Sequence, residues 1–277
     1  MSDPRLTPAN ARVMADHLPD DSSGRARVRP EPMQITTPLV DLLRAPNGPR
    51  DRQLLLGDIV DVYETRADMA FVQARKDGYV GYVPAGSLGD VVAPTHAVVA
   101  RATHIYPEAN FKSAERACLS FGATLHVRAE VDGFADTPHG CVPSQHLRPV
   151  GNPLSDPVEV ASLFLGTPYL WGGNSGLGID CSGLVQAACL ACGIPCAGDS
   201  DQQHHTLGQP LPAGTPFARG DLLFWKGHVA WVASPTTLLH ANAHSMSTTY
   251  EDIATAIARI EAAGDGPVTA HKRVIPV

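Results

Sequence analysis

Two stretches of this chain end alike: "GYVPAGSL" at residues 81–88 and "GCVPSQHL" at residues 140–147. Each closes a run in which apolar and polar residues alternate with period two. The first is preceded by "GDIVDVYET" and "MAFVQARKDGYVGYVP". The second is preceded by "HAVVARATHIYP" and "GATLHVRAEVDGFADTP". Alternation of this kind builds half-buried strands, and "KDG" supplies a turn between two of them. The recurrence, with a period of about 55–60 residues, marks an internal repeat. It predicts two small β-barrels, at 34–92 and 93–150. Ahead of them, residues 1–33 are expected to be a helix and linker: a short helix over 6–18, with Thr7 as N-cap and Pro8 at the first helical position, then a linker over 19–32. Cys118 and Cys141 are assigned to barrel interiors.

After "GNPLSDP" the pattern changes to mixed helix and strand, and residues 151–277 form a further domain. A short helix is expected over 156–165, ending before Gly166. Residues 181–192 place Cys181, Leu184, Val185, Ala188 and Cys192 on one helical stripe, with Gly193 to end it. "GDLLFWKGHVAWVAS" and "TTLLHANA" are strands, residues 250–262 a helix, and "HKRVIPV" a last strand. The fold class is α+β.

The formal net charge is -7, which argues against nucleic acid or an anionic membrane as partner. No apolar run is long enough to cross a membrane, and the N-terminal residues lack the apolar core of a signal peptide. A cytoplasmic protein is the expectation, and its six cysteines are expected to be reduced thiols.

Cys181 stands where its helix begins, in "GIDCSG". A helix N-terminus carries partial positive charge and stabilises a thiolate. Cys189 and Cys192 lie further along the helix and read as structural thiols. With Cys196 they offer no fourth metal ligand. A nucleophilic thiol needs a base in hydrogen-bond reach, and the base needs an orienting partner. Among twelve histidines, His228 and His240 lie in neighbouring strand segments joined by "SPTT". A hairpin folded about Ser234 would set them opposite each other, with Cβ atoms roughly 5 Å apart. One imidazole is then the base and the other fixes its tautomer. His204 and His205, in "QQHH", are expected on a loop beside the pocket. No cofactor or metal is called for.

Residues 166–183, "GTPYLWGGNSGLGIDCSG", with "GDLLFWKGHVAWV" and "LLHANA" after them, resemble the NlpC/P60 family of cysteine peptidases in three ordered blocks. The resemblance implies a papain-like domain that cleaves bacterial cell-wall peptides. Cys181 corresponds to the nucleophile, His228 to the base and His240 to the third polar residue. The two preceding barrels resemble bacterial SH3 (SH3b) domains. That order of domains resembles the γ-D-glutamyl-L-diamino acid endopeptidases of the dipeptidyl-peptidase VI type, which recycle murein stem peptides with a free N-terminal L-Ala. In that subgroup Trp171, Asp180, Ser182 and Ser200 correspond to residues lining the substrate pocket. Tyr169 corresponds to a tyrosine beside the oxyanion site, and Tyr79 to a first-barrel tyrosine that reaches the substrate. Asp51 is the candidate for an acidic residue of that barrel. Asp180 suits an α-ammonium, through a charge-assisted bond, and also suits an N-cap. Two other functions remain compatible with these residues: a secreted peptidoglycan hydrolase anchored by its SH3b domains, and a non-catalytic binder of cell-wall peptides.

Overall fold

The computed structural model describes residues 3–19 and 22–274. The chain divides into two units, Met1–Val150 and Gly151–Val277.

In the first unit, seven antiparallel strands form one sheet. Their spatial order is Arg50–Leu55, Leu39–Leu43, Val80–Pro84, Met69–Ala74, Ile59–Arg66, Glu31–Ile35 and Leu88–Gly89. Alternation along these strands sends Leu42, Val60, Val72 and Val83 into one apolar cluster. A bulge between Val62 and Glu64 shifts the register, and Tyr63 packs with Phe71 in a separate cluster. Eight shorter strands follow, in three small sheets between His96 and Pro149. Their core of Val98, Ile105, Leu119, Leu125 and Val142 is shared with Leu55, which ends an edge strand of the first sheet, and with Leu56 in the turn after it.

The two repeated endings adopt the same conformation. Pro84 and Pro143 have φ of -56° and -54°, as the pyrrolidine ring requires. Each leads from a strand into a three-residue 3-10 turn, Ala85–Ser87 and Ser144–His146, and then into another strand.

Three expectations fail in this unit: the helix over 6–18, the linker over 19–32, which holds the strand Ala26–Val28 and the start of Glu31–Ile35, and the interior placing of Cys118 and Cys141. Residues 6–18 contain no helix. Val13–Ala15 instead form a strand parallel to Ala26–Val28. Asn10 N–H donates to the Val13 carbonyl and Ala15 N–H to the Pro8 carbonyl, with Ala9 bridged antiparallel to Met14, so these backbone groups pair across a turn instead of along a helix. Val13 and Ala15 then cover Tyr63 and Phe71, and this burial outweighs helix propensity. Asp20 and Asp21 of the expected linker lie outside the described residues. Cys118 is exposed and Cys141 half-buried; Leu119 takes the interior position beside Cys118.

The second unit is built on a six-stranded antiparallel sheet. We number its main strands β1 (Asp221–Trp225), β2 (His228–Ser234), β3 (Thr237–Asn242), β4 (Ser247–Asp252) and β5 (Ala270–Arg273). The order is Gln209–Pro210, β5, β1, β2, β3, β4. Four helices accompany it: α1 (Pro157–Ser162), α2 (Cys181–Ala191), α3 (Ser200–Thr206) and α4 (Ile253–Ala262). Helix α4 lays Ile253, Ala256 and Ile260 on Leu223, Trp225, Ala230, Val232 and Leu238. Residues of opposite parity, Leu222, Phe224, Val229, Trp231 and Leu239, are buried as well, so both faces of the sheet are covered. Helices α1 and α2 pack on β2 and β3. Residues 250–252, expected in a helix, belong to β4; α4 begins only after Asp252, whose side chain caps it through Thr255 N–H. Residues 204–205 lie in α3, not in a loop. A reciprocal capping box between Asp199 and Gln202 starts that helix.

Candidate active site

Cys181 is the first residue of α2, and Asp180 is its N-cap. One Asp180 carboxylate oxygen accepts from Gly183 N–H at 2.6 Å and from Ser182 Oγ at 3.0 Å. The other accepts from Gly172 N–H at 2.9 Å. A single side chain thus fixes the start of the helix and ties it to the "WGG" segment. Asp180 N–H in turn donates to the Gly173 carbonyl. A Cβ at Gly183 would come within 2.4 Å of the Gly173 carbonyl oxygen, and one at Gly173 within 2.5 Å of the Gly178 carbonyl oxygen. The glycines of "WGGNSGLGIDCSG" allow backbone to stack on backbone at the nucleophile.

Gln203, fully buried, donates from its amide to the Ser182 carbonyl at 2.9 Å and the Ala197 carbonyl at 3.0 Å. It fastens the α3 segment to the first turn of α2. Ser200 is the first residue of α3 and is half-buried. Trp171 is 70 % exposed, with its ring outside the core. Tyr169 is held by a hydrogen bond from its N–H to the Met246 carbonyl and by a bridge to Ile179. Burial pushes its phenol well above the usual range, and the negative charges of Cys181 and Asp180 add to this. The phenol is therefore a neutral O–H donor at physiological pH.

His228 opens β2, directly after the turn at Lys226–Gly227. The hairpin is not folded about Ser234 in the expected register. Trp231 faces Leu239 and Val232 faces Leu238, with a bulge before Ser234. Carried along the strands, this pairing makes His228 and His240 diagonal neighbours on one face. The imidazoles span the diagonal, with His228 Nε2 3.0 Å from His240 Nδ1. Beyond His240 the chain of contacts continues. Its Nε2 lies 3.0 Å from Glu251 Oε2, and Arg259 grips both Glu251 oxygens at 2.8 and 2.7 Å. Burial pushes the pKa of both imidazoles down. For His228 the neighbouring His240 and Arg259 charges add to this, against Glu251; for His240, Glu251 opposes it. Glu251 itself is held below the usual carboxylate range, first by Arg259.

Glu251 and Arg259 were not singled out in the sequence. The available signal was the alternation in "STTYED" beside "TLLHAN", which pairs His240 with Thr249 and Leu238 with Glu251.

The two candidates in the first unit, Tyr79 and Asp51, are both engaged within their own barrel. Tyr79 is 3 % exposed and packed in the barrel's apolar cluster. Asp51 is bound by Arg44, whose Nη2 and Nε lie 2.6 and 3.0 Å from one of its oxygens. Among the described residues, no group of three or more His, Cys, Asp or Glu side chains is arranged to hold a metal. No helix there is long and apolar enough to cross a membrane.

Residues 166–261 match the NlpC/P60 family, and residues 42–88 match the bacterial dipeptidyl-peptidase Sh3 domain. Over 87 residues the chain is 41% identical to dipeptidyl-peptidase 6 of Lysinibacillus sphaericus, a stretch covering 31% of each protein. Over 71 residues it is 42% identical to the gamma-D-glutamyl-L-lysine dipeptidyl-peptidase of Bacillus subtilis (strain 168), covering 25% of this chain and 23% of that one. The matched stretches thus span less than a third of these relatives. The crystal structure of an NlpC/P60 family protein from Bacillus cereus ATCC 10987 shares the fold, with a TM-score of 0.73, 20% identity, and coverage of 89% of this chain and 100% of that one. Residues 166–261 thus match the NlpC/P60 family, and residues 42–88, earlier in the sequence, match a bacterial SH3 domain.

Proposed function

We propose that this chain is a cysteine peptidase that cleaves the bond between D-γ-glutamate and the following diamino acid in murein stem peptides with a free N-terminal L-Ala. The observation that carries this is the His228–His240 pair at 3.0 Å, on two strands against which the Cys181 helix packs. The relatives named dipeptidyl-peptidase 6 and gamma-D-glutamyl-L-lysine dipeptidyl-peptidase support the choice of bond.

In the first step His228 takes the Cys181 proton, and the thiolate adds to the γ-carbonyl carbon. The oxyanion is held by backbone N–H groups at the start of α2 and by the Tyr169 hydroxyl. His228, oriented by His240, returns its proton to the amine of the diamino acid. The C–N bond breaks and a Cys181 thioester remains. Water, deprotonated by His228, hydrolyses the thioester, which restores the thiol and releases L-Ala-γ-D-Glu. The α-ammonium is met by the Asp180 carboxylate, and Trp171, Ser182 and Ser200 line the peptide's path. Release of a soluble dipeptide suits a role in cell-wall peptide recycling. The second β-module, residues 93–150, is assigned as a further SH3b domain on its repeated ending.

The test is a mass-spectrometric cleavage assay with L-Ala-γ-D-Glu-diaminopimelate and its N-acetylated form, with Cys181→Ala as control. Cleavage of the free peptide alone, lost in the variant, is expected. Equal cleavage of both would remove ammonium recognition by Asp180. Cleavage by the variant would overturn the mechanism.

A further inference from the structure

The hydrogen bonds behind the base run further than a thiol and two imidazoles require. Glu251 lies on β4, a strand away from His240, and Arg259 reaches it from α4. Arg259 donates to both carboxylate oxygens through Nε and Nη2, the two-pronged geometry that binds ionised carboxylates best. An ionised carboxylate only accepts, so the contact at 3.0 Å from Glu251 Oε2 requires a proton on His240 Nε2. His240 is fully buried, which disfavours a second proton on its ring. Its Nδ1 therefore presents a lone pair. The contact at 3.0 Å between that Nδ1 and His228 Nε2 then requires the proton on His228 Nε2. The lone pair of neutral His228 is left on Nδ1.

We infer that Glu251, clamped by Arg259, is a positioning residue: it sets the tautomer of His240 and, through it, that of His228, so that His228 Nδ1 is the nitrogen that accepts a proton. This rests on the proposed function only in naming the Cys181 thiol as the source of that proton. The charge serves the next moment too. When His228 gains its second proton, the imidazolium is stabilised by the His240 lone pair and, through the ring, by the Glu251 carboxylate. Arg259 is the counter-ion that keeps Glu251 an acceptor. It touches neither imidazole in a hydrogen bond.

The direction of the whole relay depends on that acceptor. Glu251→Gln can turn an amide N–H toward His240 Nε2. His240 then carries its proton on Nδ1 and donates it to His228 Nε2. His228 is left protonated on Nδ1 and meets the thiol with a donor instead of a lone pair. A substitution that leaves size and position unchanged thereby removes the base from its working tautomer.

The test reads tautomers directly. Histidine side-chain nitrogen shifts of the intact 15N-labelled protein at neutral pH should report His240 and His228 both protonated at Nε2. In Glu251→Gln the His240 proton should move to Nδ1. Wild-type His240 protonated on Nδ1 would overturn the inference, whether or not any peptide is cleaved. If the peptidase reading also holds, Glu251→Gln should lower kcat about 100-fold or more while KM stays within about threefold. Glu251→Asp, which keeps the acceptor, should recover part of that loss. Equal kcat for Glu251→Gln and wild type would contradict the positioning role. No cleavage by wild type, with the expected nitrogen shifts, would refute the peptidase reading and leave the tautomer assignment standing.

Discussion

His228 and His240 are held neutral by burial, and this has a cost in acid. Both sit below their ordinary pKa of 6.5 in the folded protein. Below that value the unfolded chain binds more protons than the folded one. Their contribution to stability is thus complete above about pH 6.5 and is lost as the pH falls toward their folded-state values. Thermal unfolding between pH 7 and 5 should show Tm falling, with a shallower slope in His240→Asn. A flat profile in the wild type would contradict the burial of two neutral rings. Asp180 is the other residue whose role can be separated by measurement. Asp180→Ala removes the α2 cap and the hold on Gly172. Loss of a cap costs about 1 kcal/mol, so a stability loss of at least that size is expected by denaturant titration. Selective loss of binding to free-amino peptides, judged against the acetylated peptide, would show the same carboxylate serving the substrate. The helix start at Cys181 and the shared face of His228 and His240 were legible from the sequence because each residue type stands at a recognisable position, a helix start or a strand. The surroundings of Tyr79, in the barrel's apolar cluster, and of Asp51, beside Arg44, were not, because strand alternation does not announce them.

At the scale of elements, legibility followed the strength of the local pattern. The α2 helix was readable from its stripe and its closing glycine. Residues 250–252 were misread as helix because "YED" is too short to show a period alone. Their place in β4 is decided by pairing with β3. That error hid Glu251. The hairpin register was missed for a related reason: a bulge before Ser234 carries no signature in "WVASPTT". A prediction separates propensity from packing here. In an open helix Gly→Ala stabilises by about 0.5–1 kcal/mol. Gly183→Ala in α2 should do the reverse, because its Cβ would press on the Gly173 carbonyl oxygen at 2.4 Å. Overpacking of this kind costs about 1–3 kcal/mol. Equilibrium urea unfolding should show the loss, and a gain would mean that the "WGG" segment yields easily.

For the molecule as a whole, the change from period-two alternation to mixed helix and strand marked where one unit gives way to the other, and the repeated endings mark equivalent turns in the first. The N-terminal residues were misjudged because their conformation is set by what they cover. Val13 and Ala15 are buried against Tyr63 and Phe71, and Arg12 pairs with Glu64 at 2.6 Å. Deletion of residues 1–28 should therefore expose both aromatic rings and lower Tm by several degrees. An unchanged Tm would show that these strands add no stability.

The central claim is that Cys181 forms a thioester with the γ-glutamyl carbonyl, and rapid acid quench followed by mass spectrometry tests it most directly. Protein mixed with excess L-Ala-γ-D-Glu-diaminopimelate should carry one L-Ala-γ-D-Glu acyl group on the peptide containing Cys181, removable by hydroxylamine. Peptide turnover without that adduct, or with the acyl group on another residue, would contradict the account.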